Sequence, residues 1–163
     1  MSGKFTISET LNMLMAIFEK HKSERVCVIG TVCVGKSTIL NRLQEYGCED
    51  LDDVLWPFIP EEEMVLFNEL SEEPWTIKFS NEIDRLIYKF AKVKTGKPLF
   101  TTVIIDCESV VYLDISDDLL HEHCKKRGYS FEDAKKIKEA IVGDWDNHKA
   151  RNDKTLYYIT VTE

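Results

Sequence analysis

Residues 30–37 read Gly30-Thr31-Val32-Cys33-Val34-Gly35-Lys36-Ser37, and this stretch decides the fold because it matches the pattern G-x-x-x-x-G-K-[ST]. The apolar run Arg25-Val26-Cys27-Val28-Ile29 precedes it and is typical of a β-strand. After it, Ile39, Leu40 and Leu43 recur at the spacing of one helical face. A strand, a glycine-containing loop and a helix in this order predict a phosphate-binding loop, the Walker A motif.

The chemistry of phosphate binding explains the residue types in this loop. Gly30 and Gly35 permit backbone angles that other residues avoid. The N–H groups of the loop and of the following helix then point at an anion. We expect Lys36 to reach the β- and γ-phosphates and the Ser37 hydroxyl to bind Mg²⁺. The predicted nucleotide-binding set is Gly30, Thr31, Val32, Cys33, Val34, Gly35, Lys36, Ser37 and Thr38. An ordinary strand-to-helix turn would not require a lysine and a serine after the second glycine.

The composition limits the class of protein. A length of 163 residues fits one domain with a sizeable core. The net charge of −8, without a basic stripe, argues against binding of duplex nucleic acid. The chain has no long apolar run and no secretory signal pattern, so we expect a cytoplasmic protein without membrane contact. The five cysteines show no metal-binding spacing and are expected to be reduced.

Strand-like and helix-like segments alternate along the chain. This order predicts an α/β fold with three layers, in which helices flank a mainly parallel central sheet. We expect a single domain over residues 1–163, with residues 1–24 forming an N-terminal helical extension that starts at the capping box Thr6–Glu9. Strands are predicted within residues 25–29, 48–55, 98–105, 110–115 and 156–161. The short break at residues 106–109 leaves three alternatives: a hairpin, one long bent strand or a tight parallel connection.

An acidic cluster follows the second predicted strand. It contains Asp50, Asp52 and Asp53. Ligands of open α/β sheets bind at the carboxyl ends of the strands. A carboxylate at this point can accept a proton from a substrate hydroxyl as its oxygen attacks the γ-phosphorus, and a neighbouring carboxylate can help to hold Mg²⁺. The alternative is a solvated acidic turn.

Taken together, these features resemble the small P-loop kinases. The resemblance includes the loop at residues 30–37, the acidic cluster, the strand Val110–Ile115 with its following helix, and the basic end of that helix. Similar proteins are the shikimate and gluconate kinases, the nucleoside and nucleotide kinases, and the kinase domain of phage polynucleotide kinase. The resemblance extends from Arg25 onward, although only the loop is a specific motif. It implies the P-loop NTPase fold, ATP and Mg²⁺ as cofactors, and a small-molecule acceptor.

The resemblance also implies roles for particular residues. An aspartate after the second strand contacts the accepting hydroxyl in these kinases; Asp52 is the first candidate, Asp53 the next, and Asp50 the alternative. A lid arginine reaches the transferred phosphate, and Arg127 is the candidate, supported by Lys125 and Lys126. The chain departs from the lid pattern at His123, where these kinases often have arginine. Alternatively, this basic segment only complements the dipole of its helix.

Six further residues are weaker candidates. Asp106 ends an apolar run like a Walker B aspartate that binds magnesium. Trp56, with Phe58 and Trp75, is placed to stack on an acceptor ring. Arg85 lies on a helix that binds substrate in related kinases, and Arg151 precedes the last strand, where those kinases contact adenine. Core packing and ordinary solvated charges explain the same residues without a ligand.

The sequence therefore predicts ATP-dependent, Mg²⁺-assisted phosphoryl transfer to a hydroxyl or phosphate of a small molecule such as a nucleoside or nucleotide. A nucleotide-binding regulatory ATPase or GTPase is one alternative, although no N-K-x-D guanine motif is found. A catalytically weakened kinase fold that binds a partner is the other, favoured by His123 and by the N-terminal helix. The acceptor and the oligomeric state do not follow from the sequence.

Overall fold

The computed structural model describes residues 3–72, 74 and 76–163. Within these ranges six strands form one sheet, and every strand pair in it is parallel. The strand order is β1-β6-β5-β2-β4-β3. The strands are β1 (Lys4–Phe5), β2 (Val26–Ile29), β3 (Glu49–Asp50), β4 (Leu99–Thr101), β5 (Ser109–Ile115) and β6 (Thr155–Val161).

Seven α-helices in the described residues cover both faces of the sheet. They are α1 (Ile7–Lys20), α2 (Lys36–Arg42), α3 (Leu51–Val54), α4 (Val65–Ser71), α5 (Ile77–Phe90), α6 (Asp117–Arg127) and α7 (Phe131–Arg151). Helices α1, α2 and α6 bury apolar residues in one core cluster, whereas α3, α5 and the second half of α7 bury theirs in another. The predicted α/β class and mainly parallel sheet are confirmed, and the arrangement is compatible with three layers. No helix among the described residues has the length and apolar character needed to cross a membrane.

The N-terminal segment adds a strand that the sequence did not predict. Strand β1 pairs with β6, and the Gly3 and Phe5 carbonyls accept hydrogen bonds from the Thr160 and Thr162 N–H groups at 2.8 and 3.1 Å. The predicted capping box is present, since the Thr6 hydroxyl accepts from the Glu9 N–H at 3.2 Å. Residues 3–20 are therefore part of the sheet edge and of the core.

The connection between β4 and β5 is much shorter than a helical crossover. These strands lie on opposite sides of β2, so residues 102–108 return from the carboxyl end of the sheet to its amino end. Ile104 and Ile105 are buried on the way, and the Ile104 N–H donates to Asp144 at 3.2 Å. The tight parallel connection is thus the alternative observed. The strand predicted to extend to residue 105 ends at Thr101, because the apolar residues beyond it pack on the sheet instead of extending it.

The predicted second strand is also short. Strand β3 has two residues, and Asp50 then caps α3 by accepting the Asp52 N–H at 3.3 Å. The acidic cluster consequently lies at the end of β3 and in the first turn of α3, which is a favourable place for carboxylates.

Candidate phosphate-binding site

The loop at residues 30–37 connects β2 to α2, as predicted, and it is shaped by two glycines. The Gly30 N–H donates to the Thr101 carbonyl at 3.2 Å. A Cβ atom on Gly30 would lie 2.9 Å from Cγ1 of Val34 and 3.2 Å from the Leu113 carbonyl oxygen, so a larger residue would force the neighbouring atoms to shift. Gly35 instead has φ of 108°, a conformation that L-residues rarely adopt. Cys33 also has a positive φ of 66°.

Two hydrogen bonds hold the loop against the helices that follow β5. The Thr31 hydroxyl donates to the Ala134 carbonyl of α7 at 2.9 Å. Nδ1 of His123 lies 2.7 Å from the Cys33 carbonyl oxygen. Because a carbonyl only accepts, His123 must donate through a protonated Nδ1. The residue that departs from the kinase lid pattern therefore anchors α6 to the loop backbone.

Lys36 lies at the centre of the charged groups around the loop. The residue is half-buried, and its ammonium donates to the Gly30 carbonyl. Burial lowers the pKa of Lys36 to about 8, the Asp50 and Asp52 carboxylates act to raise it, and the Arg127 guanidinium acts to lower it. Two predicted acidic residues and the predicted lid arginine therefore lie within electrostatic reach of the predicted phosphate-binding lysine.

The two carboxylates near Lys36 have different surroundings. Burial raises the pKa of Asp50, and the nearby Asp52 and Asp53 carboxylates raise it further. Asp52 is exposed, and its Oδ1 accepts the Trp56 indole N–H at 2.9 Å. Asp53 is exposed on the same turn.

The residues near Lys36 fit Mg²⁺ when it enters with a nucleotide. Among the described residues no group of three or more His, Cys, Asp or Glu side chains is arranged to hold a metal ion. Mg²⁺ usually needs only one or two protein oxygens, because phosphate oxygens and waters complete its octahedron. The exposed Ser37 hydroxyl, with Asp50 or Asp52, is a donor set of this kind.

A cavity of about 440 Å³ lies beside the loop. Its walls come from the loop and α2, from α6, from the end of β6 and from the first turn of α1. The lining residues are Ile7, Thr10, Cys33, Val34, Gly35, Ser37, Thr38, Ile39, His123, Lys126, Arg127, Val161 and Glu163. Sequence reasoning missed Ile7, Thr10, Val161 and Glu163. The capping box located the start of α1, but only the pairing of β1 with β6 brings that start to the cavity.

Asp106 lies at the end of the sheet opposite the loop, which corrects the position expected for it, and Arg151, which precedes the last strand as expected, lies at that end as well. Asp106 is in the β4–β5 connection, and its carboxylate pairs at 3.0 Å with Arg25, the residue before β2. It therefore lies at the amino end of the strands, whereas a Walker B aspartate would follow a carboxyl end. Arg151 ends α7 and precedes the amino end of β6. Because all strands are parallel, every crossover returns the chain to the end opposite the loop.

Two of the residues expected to bind the acceptor, Arg85 and Trp56, make protein contacts. Arg85 donates to Glu82 at 2.6 Å and to Glu63 at 3.2 Å, so its charge is neutralised within the helical layer. Trp56 packs against Phe67 with ring centroids 5.0 Å apart. Phe58 is 74% exposed, and Trp75 lies outside the described residues. Lys126 lines the cavity, whereas Lys125 is not among its lining residues.

No protein-family model matches the chain, and no curated protein matches it significantly. Its function is therefore inferred from the residues and their positions.

Proposed function

We propose that the chain is an ATP-dependent kinase with the P-loop NTPase fold, which transfers a γ-phosphoryl group to a hydroxyl or phosphate of a small molecule. The observation that carries this proposal is the glycine loop between β2 and α2, with Asp50, Asp52 and Arg127 within electrostatic reach of its lysine, Lys36. Phosphoryl transfer needs cations around the moving phosphoryl group and a carboxylate for the attacking hydroxyl. Both kinds of group lie next to the loop.

Each group has a role in this reaction. The loop N–H groups and Lys36 bind the β- and γ-phosphates. Arg127 neutralises the charge that develops on the equatorial oxygens in the transition state. Asp52 orients the acceptor hydroxyl and accepts its proton. With a pKa near 8, Lys36 is protonated at neutral pH, and a bound triphosphate favours that charged form further.

Ser37, with Asp50 or Asp52, would hold a Mg²⁺ ion bound together with ATP. The ion would supply neutralisation of the charge on the β- and γ-phosphate oxygens. The protein side chains would supply only part of its coordination, as is usual for nucleotide-bound Mg²⁺.

The position of the loop in the sheet supports the same proposal. Strand β2 is central, and the chain leaves it toward β3 at one edge. From the neighbouring β5 the chain leaves toward β6 on the other side. Ligands of open α/β sheets bind where neighbouring strands lead in opposite directions. The loop and α6 flank such a point.

A catalytically weakened nucleotide-binding fold is a second candidate, favoured by one contact. The Trp56 indole N–H occupies an oxygen of Asp52 at 2.9 Å. If that bond persists with bound nucleotide, Asp52 has less capacity to accept a proton, and the chain would bind ATP without efficient transfer.

Transfer of label from γ-labelled ATP to an acceptor distinguishes an active kinase from a catalytically weakened nucleotide-binding fold. Pools of nucleosides, nucleotides and small hydroxyl compounds serve as acceptors, and the variants are Lys36→Met, Asp52→Asn and Asp146→Asn. We expect Lys36→Met to abolish transfer and Asp52→Asn to slow it by about 100-fold or more while retaining ATP binding. Asp146→Asn changes an exposed aspartate of α7 in the same way, so it is the matched control and should stay near wild type. Equal transfer by wild type and Lys36→Met would refute the kinase; ATP binding without transfer to any acceptor would favour the weakened fold.

A further inference from the structure

One wall of the cavity beside the loop consists of residues that are not suited to bind phosphate groups. Lys126, Arg127 and the loop form its cationic part, while Ile7, Thr10, Val161 and Glu163 come from α1 and from the end of β6. A triphosphate is repelled by the Glu163 carboxylate and attracted by Arg127. A nucleotide bound at the loop therefore directs its uncharged end toward α1.

Thr10 in this wall has a hydroxyl group without a partner. The residue is fully buried, and its Oγ1 makes no hydrogen bond. Every other buried side-chain oxygen or nitrogen among the described residues has a hydrogen-bond partner. Buried hydroxyls are nearly always paired, because an unpaired one costs free energy. Thr10 lines the cavity while its oxygen is covered, so a rotation of the side chain is needed for a ligand in the cavity to supply the missing partner.

The start of α1 is held firmly at this place. The Ile7 N–H donates to Oε1 of Glu163 at 3.3 Å, and the Thr162 hydroxyl donates to the Phe5 carbonyl at 3.0 Å. Together with the β1–β6 pairing, these bonds fix the first turn of α1 over the carboxyl end of β6. Thr10 is thus presented by rigid elements, as a specificity residue requires.

We propose that α1 completes a nucleobase pocket, and that Thr10 and Glu163 recognise a base carrying an exocyclic amino group. The inference rests on the proposed function. The apolar side chains Ile7, Val34 and Val161 contact the faces of the base. The Thr10 hydroxyl donates to a ring acceptor, and the Glu163 carboxylate, which only accepts, takes a hydrogen bond from the amino group. The N-terminal helix is then a substrate-selecting element.

Affinities for ATP, ITP and inorganic tripolyphosphate test this assignment in the full chain. ITP has a carbonyl in place of the amino group, and tripolyphosphate has no base. For the wild type we expect ATP to bind more tightly than both. Thr10→Val keeps the shape and removes the hydroxyl, so ATP affinity should fall by about 5-fold while tripolyphosphate affinity is unchanged. Thr10→Ser should retain ATP affinity, and the exposed Thr95→Val is the matched control.

Thermal unfolding of the unliganded variants separates recognition from a structural role. Because the Thr10 hydroxyl has no partner to lose, Thr10→Val should unfold at the same or a higher temperature than the wild type. A lowered melting temperature, or unchanged ATP affinity, would overturn the role of Thr10, and equal affinities for ATP and ITP would overturn recognition of the amino group. Binding of tripolyphosphate as tight as that of ATP would refute the base pocket alone, whereas no binding of either would refute the proposed kinase itself.

Discussion

If ATP binds at the loop as proposed, the lowered pKa of Lys36 makes its affinity depend on pH in a defined direction. In the free protein, burial lowers the pKa of this ammonium from 10.5 to about 8. A bound triphosphate surrounds it with negative charge and raises its pKa again. Above about pH 8 the neutral amine must therefore take up a proton in order to bind, and affinity falls as the pH rises.

The pKa of Lys36 in the free protein sets the pH at which affinity begins to fall, and the rise of this pKa on binding sets the size of the fall. If the bound triphosphate restores the ordinary value of 10.5, affinity falls by about ten-fold between pH 7 and pH 9. The decrease ends above about pH 10.5, with a ceiling of about 300-fold. A smaller rise in the bound state would end the decrease at a lower pH but leave its onset near pH 8.

Calorimetric titration with ATP at a fixed free Mg²⁺ concentration measures this dependence. Lys36→Arg is the control, because an arginine stays protonated over the whole range and should give a nearly flat profile. Tripolyphosphate should follow the wild-type ATP profile, since Lys36 contacts the phosphates. A wild-type pH profile of ATP affinity as flat as that of Lys36→Arg, or an ATP affinity that rises with pH, would contradict the role of Lys36 in this dependence.

Three further predictions concern the loop and the fold. Gly30→Ala should abolish ATP binding and lower the melting temperature, because the alanine Cβ would lie too close to Val34 and the Leu113 carbonyl. Calorimetric titration measures the ATP affinity, and thermal unfolding measures the melting temperature. His123→Phe should weaken ATP binding by a few-fold, because the Cys33 carbonyl loses its hydrogen-bond donor and the loss of one hydrogen bond has about this effect. The affinity for tripolyphosphate should fall by the same factor, because the change lies in the phosphate-binding loop. Arg85→Ala should lower the melting temperature near pH 7. The hydrogen bond from Arg85 lowers the pKa of Glu82, so the stability that it contributes is present above the ordinary glutamate pKa of about 4.3 and is lost as the pH falls below it. A melting temperature of Arg85→Ala that stays below that of the wild type in acid would contradict this prediction.

Local patterns were sufficient for the elements with strong chemical signals. Strand β2, the loop and α2 follow from a short motif with its flanking residues. Helices α6 and α7 begin after Ser116 and Ser130, which accept backbone N–H groups at 3.2 and 3.3 Å, and serine is a residue type that favours the N-cap position. These signals are encoded within a few residues and need no knowledge of the sheet.

Features that depend on the order of strands could not be derived in the same way. The run Pro98–Ile105 reads as one strand, but its second half crosses β2 and is buried there. This crossing also carries Asp106 to the amino end of the sheet, where it pairs with Arg25. The placement of Thr10 at the cavity depends on the pairing of β1 with β6. Strand β1 has only two residues, so the sequence around it shows no periodic pattern.

Binding of ATP at the loop is the central claim, and one titration tests it most directly. ATP with Mg²⁺ is titrated into the wild type, Lys36→Ala and Lys149→Ala, the last being an exposed lysine of α7. We expect one ATP per chain, wild-type affinity in Lys149→Ala and at least a ten-fold loss in Lys36→Ala, corresponding to about 1.4 kcal/mol or more. Absence of binding to the wild type, or equal affinity in all three proteins, would contradict the claim.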